Sequence, residues 1–169
     1  KTIFVGDTSV HEYPTSEQMA EMAISASRVV RLFGFDPKVA FVSHSTFGQP
    51  LTSRTKHIKN AVEILKSKNV NFEFDGDMQP DVALNKEYKN LYPFSKIVGN
   101  ANILIMPGQH SAAISYKMMK ELGDTKVIGP LLIGLGLPIE IAPLRSSTSE
   151  ILNLASIAAY SADVIDYKK

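Results

Sequence analysis

The chain has 169 residues, 44% of them hydrophobic, which is enough apolar side chain to fill the core of one domain of ordinary size. Its 18 Lys and Arg and 17 Asp and Glu leave a net charge of +1, so no long-range field that would attract nucleic acid or an anionic membrane is expected. The lack of cysteine excludes disulfides, thiolate metal ligands and thiol nucleophiles. We therefore expect one cytoplasmic domain, residues 1–169, with neither nucleic acid nor a membrane as its partner.

Helix caps and short apolar runs alternate along the chain. A strand at Ile3–Gly6 is followed by a helix that the capping box Thr15–Gln18 opens and Gly34 ends. A second apolar run, Val39–Val42, predicts another strand. The remaining predicted elements are a helix from about Thr52 to Lys68, a strand at Asn71–Phe74, a helix from Gln79 to about Leu91, a strand at Ile103–Met106, a helix at Ser111–Leu122, strands at Val127–Ile133 and Ile139–Ala142, and a helix from Ser147 to about Ile165.

The predicted strands are continuous apolar runs and alternate with helices. This pattern is typical of an α/β fold, with a layered, mostly parallel sheet that helices cover on both faces. Ligands in such folds bind at the carboxyl ends of the strands, and here the loops 43–50, 75–81 and 107–111 follow strands. The chain also begins with Lys1 inside a strand pattern and without Met, which suggests a fragment of a longer protein.

Three acids, Asp75, Asp77 and Asp81, lie around Gly76 between a predicted strand and a predicted helix. Clustered carboxylates are the ligands that Mg²⁺ and Ca²⁺ prefer, but no EF-hand pattern continues from these residues. Alternatively, one acid closes the turn at Gly76 and another stabilises the helix that starts at Pro80. We favour this structural interpretation and predict no metal site.

The segment Ser43–Gly48 follows a buried strand and precedes a helix. Its hydroxyls and backbone amides, from Ser43, Ser45, Thr46 and Gly48, could hold a phosphate or pyrophosphate, although it lacks the lysine of a Walker loop. An ordinary Ser/Thr turn with a helix cap explains the same residues.

Two further positions are candidates for binding or catalysis. Gln109, His110 and Ser111 follow a strand, with Ser111 a suitable N-cap and His110 a possible acid or base; a hydrogen-bonding or surface role for this histidine is the alternative. Arg145 lies between a strand and the helix near Ser147, where it could bind an anion together with helix amides or be a solvated loop charge.

Several ordered motifs together resemble the second half of the phosphate acetyltransferase and butyryltransferase family, over nearly the whole chain. Some of them look most like the acetyltransferase-like C-terminal region of bacterial NADP-dependent malic enzymes. The motifs that carry the family resemblance are Phe74–Leu84, Ser43–Gly48, Ala101–Gly108 and Ile128–Leu135, and those that resemble the malic enzymes are Leu91–Ser95, Met106–Ser111 and Ile139–Pro143.

The resemblance implies an acyltransferase fold related to isocitrate and isopropylmalate dehydrogenases, a coenzyme A site between domains, and a homodimer or higher oligomer. It also implies altered chemistry, since the family's Ser-Arg-Gly stretch corresponds here to Pro143, Leu144 and Arg145. Glu150 stands where a catalytic aspartate is expected, and Phe47 where a loop lysine is expected. Groups that offset developing negative charge typically contribute a few kcal/mol each to catalysis.

From this resemblance we expect a regulatory and oligomerising domain of a multidomain malic enzyme, which senses acetyl-CoA or a related metabolite. NADP, a divalent metal and the oxidative decarboxylation of malate then belong to domains outside this chain, and this domain needs no cofactor of its own. One alternative is an active phosphate acetyltransferase that uses Arg145 and Glu150 as catalytic residues. Another is a purely structural dimerisation module.

Overall fold

The computed structural model describes residues 1–7 and 9–164, apart from the side chain of Lys89. The chain divides into two compact units, Lys1–Tyr116 and Lys117–Lys169, which are described in turn. The end of the last predicted helix, at Ile165, lies outside the described residues. That residues 1–169 form a single family domain stays a prediction.

A sheet of four parallel strands forms the centre of the first unit. The strands are β1 (Phe4–Gly6), β2 (Lys38–Val42), β3 (Glu73–Met78) and β4 (Ile103–Ile105). Their order in the sheet is β1-β4-β2-β3. The outer strands are short or irregular, and the central pair β2 and β4 is buried.

The two long helices of the first unit begin at capping boxes. In α1 the Thr15 hydroxyl accepts from the Gln18 N–H while the Gln18 side chain accepts from the Thr15 N–H, as predicted. Thr52 and Thr55 form the same reciprocal pair at the start of α2. The helices along the chain are α1 (Ser16–Leu32), α2 (Ser53–Ser67), α3 (Pro80–Leu84), α4 (Lys86–Lys89), α5 (Gln109–Leu122) and α6 (Thr148–Val164).

Two apolar clusters cover the two faces of the sheet, because successive strand residues point to opposite faces. In β2, Val39 and Phe41 belong to a cluster with residues of α1 and α2. Ala40 and Val42 belong to a second cluster, which contains residues of α3 and Ala112 of α5. The predicted parallel α/β sheet with helices on both faces is therefore confirmed.

Two element boundaries of the first unit differ from the prediction. The third strand begins at Glu73 and continues through the acidic segment to Met78, so the predicted turn at Gly76 is part of a strand. The predicted helix Gln79–Leu91 is two short helices, because Asn85 adopts extended backbone angles (φ −121°, ψ 113°) and its side chain caps the second of them. A polar cap in the middle of the segment ends one helix and starts another.

In the second unit, the predicted strands Val127–Ile133 and Ile139–Ala142 were wrong: neither segment has regular secondary structure. Prolines 130, 138 and 143 each remove a backbone donor within or beside these segments, which disfavours a strand ladder. The contact between the segments is made by a side chain instead, since the Glu140 carboxylate accepts from the Leu132 N–H at 3.1 Å. Within the described residues, no helix is both long and apolar enough to cross a bilayer.

Candidate functional site at the carboxyl edge of the sheet

The loops that follow the four parallel strands lie at the same edge of the sheet. The sequence predicted three of them, loops 43–50, 75–81 and 107–111; in the structure the first extends to residue 52, and most of the second belongs to β3. The fold adds loop 7–14 after β1, which the sequence analysis missed. The signal was available, because Gly6-Asp7 follows a buried run in the same way that Gly108-Gln109 does.

Asp77 occupies an irregular position in β3. Phe41 pairs with Gly76 and Val42 pairs with Met78, so Asp77 is an extra residue at a β-bulge. Its side chain is 2% exposed, and both carboxylate oxygens accept hydrogen bonds from the loop after β2: the Ser45 hydroxyl on one and the Gly48 N–H on the other, at 3.1 Å. The bulge thus directs a buried carboxylate into loop 43–52.

The hydroxyls of loop 43–52 that were predicted to bind an anion mostly form hydrogen bonds within the protein. Ser43, Ser45 and Thr46 are all buried. The Ser43 hydroxyl accepts from the Ser45 N–H at 3.3 Å, and the Thr46 hydroxyl accepts from the Gln79 N–H at 3.3 Å. These bonds describe a preordered loop; whether Ser43, Ser45, Thr46 and Gly48 bind a ligand stays a prediction.

The other two acids of the segment are also tied to backbone groups. Asp75 is 7% exposed and accepts from the N–H groups of Gly76, at 3.0 Å, and Lys96, at 2.7 Å. Asp81 lies in the first turn of α3 and accepts from the Val82 N–H at 2.9 Å. Among the described residues no group of three or more potential ligands is arranged to hold a metal ion. Asp81 at the start of α3 fits the helix-stabilising half of the structural interpretation, whereas Asp75 and Asp77 lie within β3 and not at the predicted turn.

Loop 7–14 is organised by the Asp7 carboxylate. It accepts from the backbone N–H groups of Ser9, Val10 and His11, and from Nδ1 of the His11 ring at 2.7 Å. Burial acts to raise the pKa of Asp7, but these hydrogen bonds outweigh it and hold the pKa below its usual value. Asp7 therefore stays ionised and fixes the loop at the end of β1.

Loop 107–111 packs tightly on loop 7–14. A Cβ on Gly108 would lie 2.7 Å from the Glu12 carbonyl oxygen, so only glycine fits this approach. The Gln109 N–H donates to the same carbonyl at 3.3 Å. The prediction that Ser111 is the N-cap was wrong, because α5 begins at Gln109 and the Ser111 hydroxyl donates back to the Gly108 carbonyl at 2.8 Å.

His110 is the exposed member of this loop, with 71% of its side chain accessible. Its Nε2 lies 3.5 Å from a carboxylate oxygen of Glu12, and its ring stacks on Tyr13 with centroids 6.4 Å apart. These contacts fit the surface role of His110 that the sequence left open. A role of Gln109, His110 or Ser111 in ligand binding stays a prediction.

The two predicted catalytic residues lie in the second unit. Glu150 is at the third position of α6, where its carboxylate accepts from the Ser147 N–H at 2.7 Å and the Ser147 hydroxyl accepts from the Glu150 N–H at 3.3 Å. The other carboxylate oxygen accepts from Lys120 at 3.3 Å. This is a capping box with an ion pair, and the Ser147 donors hold the pKa of Glu150 below its usual value. Arg145 is exposed.

Basic side chains are scarce in three of the loops at the carboxyl edge of the first unit. Loops 7–14, 43–52 and 107–111 contain no Lys and no Arg. Their basic side chains are His11, His44 and His110. A site that transfers an acyl group to phosphate needs fixed positive charge for the developing anion. These three loops provide hydroxyls, amides and imidazoles in its place.

A parallel sheet covered on both faces, with loops gathered at one edge, defines an α/β domain of the layered, parallel-sheet class. Comparison with known proteins gives the family. The chain belongs to the phosphate acetyl/butaryl transferase family, whose model matches residues 1–159.

Relatives with this region fall into two groups of different length. The chain is 47% identical to an NADP-dependent malic enzyme of Rhizobium meliloti over 96% of its own length but only 21% of the relative's. It is 34% identical to a phosphate acetyltransferase of Clostridium acetobutylicum, covering 95% of the chain and 49% of that relative. A phosphotransacetylase structure from Streptococcus pyogenes matches with a TM-score of 0.89 and 32% identity, over 94% of this chain and 49% of that one.

Proposed function

We propose that this region is a regulatory and oligomerising domain of a multidomain NADP-dependent malic enzyme, and that it senses acetyl-CoA at the carboxyl edge of its sheet. NADP, the divalent metal and malate oxidation belong, in this proposal, to the part of the protein outside the matched region. The observation that carries this proposal is an edge whose loops are held by internal hydrogen bonds but have no Lys or Arg at 7–14, 43–52 and 107–111.

The internal order of these loops favours a ligand-binding function over a purely structural one. The carboxylates of the partly buried Asp7 and the buried Asp77 fix two of the loops before any ligand arrives. Asp7 accepts from three backbone donors, and Asp77 accepts from a hydroxyl and a backbone donor. A preformed site loses little conformational entropy on binding. Recognition can thus persist where the charges needed for transfer are missing.

The chemistry of Glu150 supports sensing over transfer. Its carboxylate is committed to the α6 capping box and to Lys120. A general base with a lowered pKa is a weaker proton acceptor, and leaving the cap would break these bonds. An active acetyltransferase remains the competing function, with Arg145 and Glu150 as its catalytic residues.

Exposed apolar side chains of the second unit support the oligomerising part. Contiguous apolar surface on a soluble domain commonly marks an association site. Leu144 is completely exposed and Leu137 is 66% exposed. The other large exposed apolar side chains of this unit include Leu122, Ile128, Leu135, Ile139, Ile141, Ile151 and Leu152.

Titration calorimetry of the full-length protein with acetyl-CoA tests the sensing function. We expect saturable binding, no phosphate-dependent release of CoA, and a change in malate oxidation when acetyl-CoA is added. Absence of binding at millimolar acetyl-CoA would overturn the sensing function, and phosphate-dependent CoA release that the Glu150→Gln variant loses would favour the acetyltransferase.

Sedimentation of the full-length protein tests assembly. Leu144→Glu places a charge on the exposed apolar surface and is expected to shift the protein towards smaller species. Leu91→Glu, at a residue of the first unit that is 72% exposed, is the matched control and should sediment unchanged. Equal sedimentation of both variants and the unaltered protein would contradict an association surface at Leu144.

A further inference from the structure

Three aromatic rings meet beside loop 43–52. The Phe47 ring centroid lies 4.8 Å from that of Phe94 and 5.5 Å from that of Tyr92. The third pair, Tyr92 and Phe94, is 6.1 Å apart and nearly perpendicular, at 85°. We call Phe47, Tyr92 and Phe94 the ring cluster.

Core packing accounts for only part of the ring cluster. Phe47 and Tyr92 are half-buried and pack against the second apolar cluster of the sheet. Phe94 is 64% exposed, so its ring faces solvent beside the other two. Exposing a phenyl ring forgoes the stabilisation that its burial would provide, about 1.5–3 kcal/mol. A ring left in this position is available to a ligand.

The backbone of Phe47 is held in an unusual conformation. Its φ of +50° lies in the left-handed region, which is uncommon for a residue other than glycine and an outlier for a bulky side chain. The Phe47 N–H donates to the Asp77 carbonyl at 2.7 Å, and the Gly48 N–H donates to the Asp77 carboxylate. The bulge in β3 therefore fixes the direction of the Phe47 ring.

The other two rings are fixed from the same strand. The Ser95 N–H donates to the Tyr92 carbonyl at 3.0 Å, closing a turn that has Pro93 and Phe94 at its centre. Just beyond it, the Lys96 N–H donates to the Asp75 carboxylate at 2.7 Å. Asp75 and Asp77 of β3 thus hold the two segments that carry the ring cluster.

The chemistry of this surface indicates its occupant. Aromatic faces stack on planar heterocycles, and such stacking is tolerant of exact base identity. The ring cluster borders a loop without Lys or Arg, whereas the Lys96 side chain, two residues beyond Phe94, is exposed. A ligand with a planar ring next to anionic groups would match aromatic rings that have an exposed lysine two residues along the chain.

We propose that the ring cluster receives the adenine ring of an acyl-CoA, with Lys96 near its phosphates. This inference rests on the proposed acetyl-CoA sensing function and assigns part of that ligand to named residues. Asp77 is a positioning residue in it, because it holds Phe47 and touches no part of the ligand.

Calorimetry of the full-length protein with three ligands tests the assignment. The ligands are acetyl-CoA, adenosine 3′,5′-bisphosphate, which has the adenine without the acyl arm, and S-acetylpantetheine, which has the acyl arm without the adenine. Phe94→Ala should weaken the first two by about tenfold, as loss of one stacking partner does, and leave the third unchanged. Leu91→Ala, an exposed residue of the same segment, is the control and should change none of them.

The outcomes separate this inference from the proposed function. Acetyl-CoA bound equally by the unaltered protein and by Phe94→Ala would overturn the ring site and leave the sensing function standing. An equal loss of affinity for all three ligands in Phe94→Ala would also overturn it, since a specific adenine contact cannot affect S-acetylpantetheine. If acetyl-CoA fails to bind the unaltered protein, sensing is overturned, and failure of the bisphosphate to bind as well overturns the ring site.

Discussion

Replacing Asp77 with alanine is the most direct test of how the carboxyl edge is held together. The carboxylate is 2% exposed and its two oxygens accept from the Ser45 hydroxyl and the Gly48 N–H. In Asp77→Ala both donors lose their acceptor at a position that water reaches poorly. Ser45 is itself completely buried, so its hydroxyl would be left unpaired.

The expected loss follows from those two donors. Leaving a buried donor unsatisfied costs about 1–3 kcal/mol, which applies in full to Ser45 and in part to the partly buried Gly48, so the free energy of unfolding should fall by at least about 1–3 kcal/mol in Asp77→Ala. Asp77→Asn keeps the shape: its amide oxygen can accept from Gly48 and its amide nitrogen can donate to Ser45. We expect that variant to lose only about 1 kcal/mol. The buried donors, not the charge, carry the effect.

Urea unfolding of the 169-residue chain, followed by far-UV circular dichroism, measures these differences. Asp36→Ala, at an exposed acid, is the control. In the double variant with Ser45→Ala the hydroxyl is removed together with its partner, so the second substitution should cost less than it does alone. Strict additivity of Ser45→Ala and Asp77→Ala, or a loss below about 0.5 kcal/mol for Asp77→Ala, would refute this account of the loop.

Two other perturbations test the neighbouring strands. Gly76→Ala would place a Cβ 2.7 Å from the Phe41 Cβ and 2.8 Å from the Phe41 carbonyl oxygen. We therefore expect a lower unfolding midpoint in urea for this variant than for the exposed-site control Gly34→Asn. An unchanged midpoint would contradict the close approach of β2 and β3. Asp7→Asn should be less stable than the unaltered chain near neutral pH, and the difference should shrink as the pH falls. The pKa of Asp7 is lower in the folded state than its unfolded value of about 4, so ionised Asp7 stabilises the folded chain above that value. This stability is lost as the pH falls through the folded-state pKa. Urea titrations at several pH values give that difference directly, and one that stays constant with pH would mean that ionisation of Asp7 is irrelevant.

The fold of the first unit could be predicted wherever local chemistry and packing agree. Thr15 and Gln18 predict their helix start because the reciprocal bonds involve only residues three apart. The predicted start of α5 was wrong because Ser111 is a suitable N-cap by its residue type alone. The residue before the observed start, Gly108, is required by its close contact with the Glu12 carbonyl. That contact joins residues almost a hundred positions apart, and no local pattern contains it.

The second unit shows where apolar patterning misleads. The segment 127–142 has the apolar residues of two strands, yet it lacks a ladder and leaves many of these side chains exposed. A sequence records that a side chain is apolar without recording what covers it. If the cover comes from another chain or domain, the burial that strand-like patterns imply is absent from the isolated region.

The acidic segment illustrates the same limit for the candidate site. The spacing of Asp75 and Asp77 left a metal site and a structural role open, and a turn was predicted at Gly76. The structure extends β3 through all three residues, so the two carboxylates hold different segments, one at Lys96 and one at Ser45 and Gly48. A bulge at Asp77 makes this possible, and bulges have no reliable signature in sequence.

This arrangement separates the order of the edge from its chemistry. The bonds of Asp75 and Asp77 go to backbone groups and to one buried hydroxyl, none of which needs a catalytic group to be present. The loops can therefore stay ordered although Phe47 stands where the family resemblance leads us to expect a lysine. Selection for ligand recognition alone would then suffice to keep the acids, and their presence is no evidence that acyl transfer occurs. Only the three-ligand binding comparison and the CoA-release assay distinguish the two, because stability measurements report the tethers and not the chemistry.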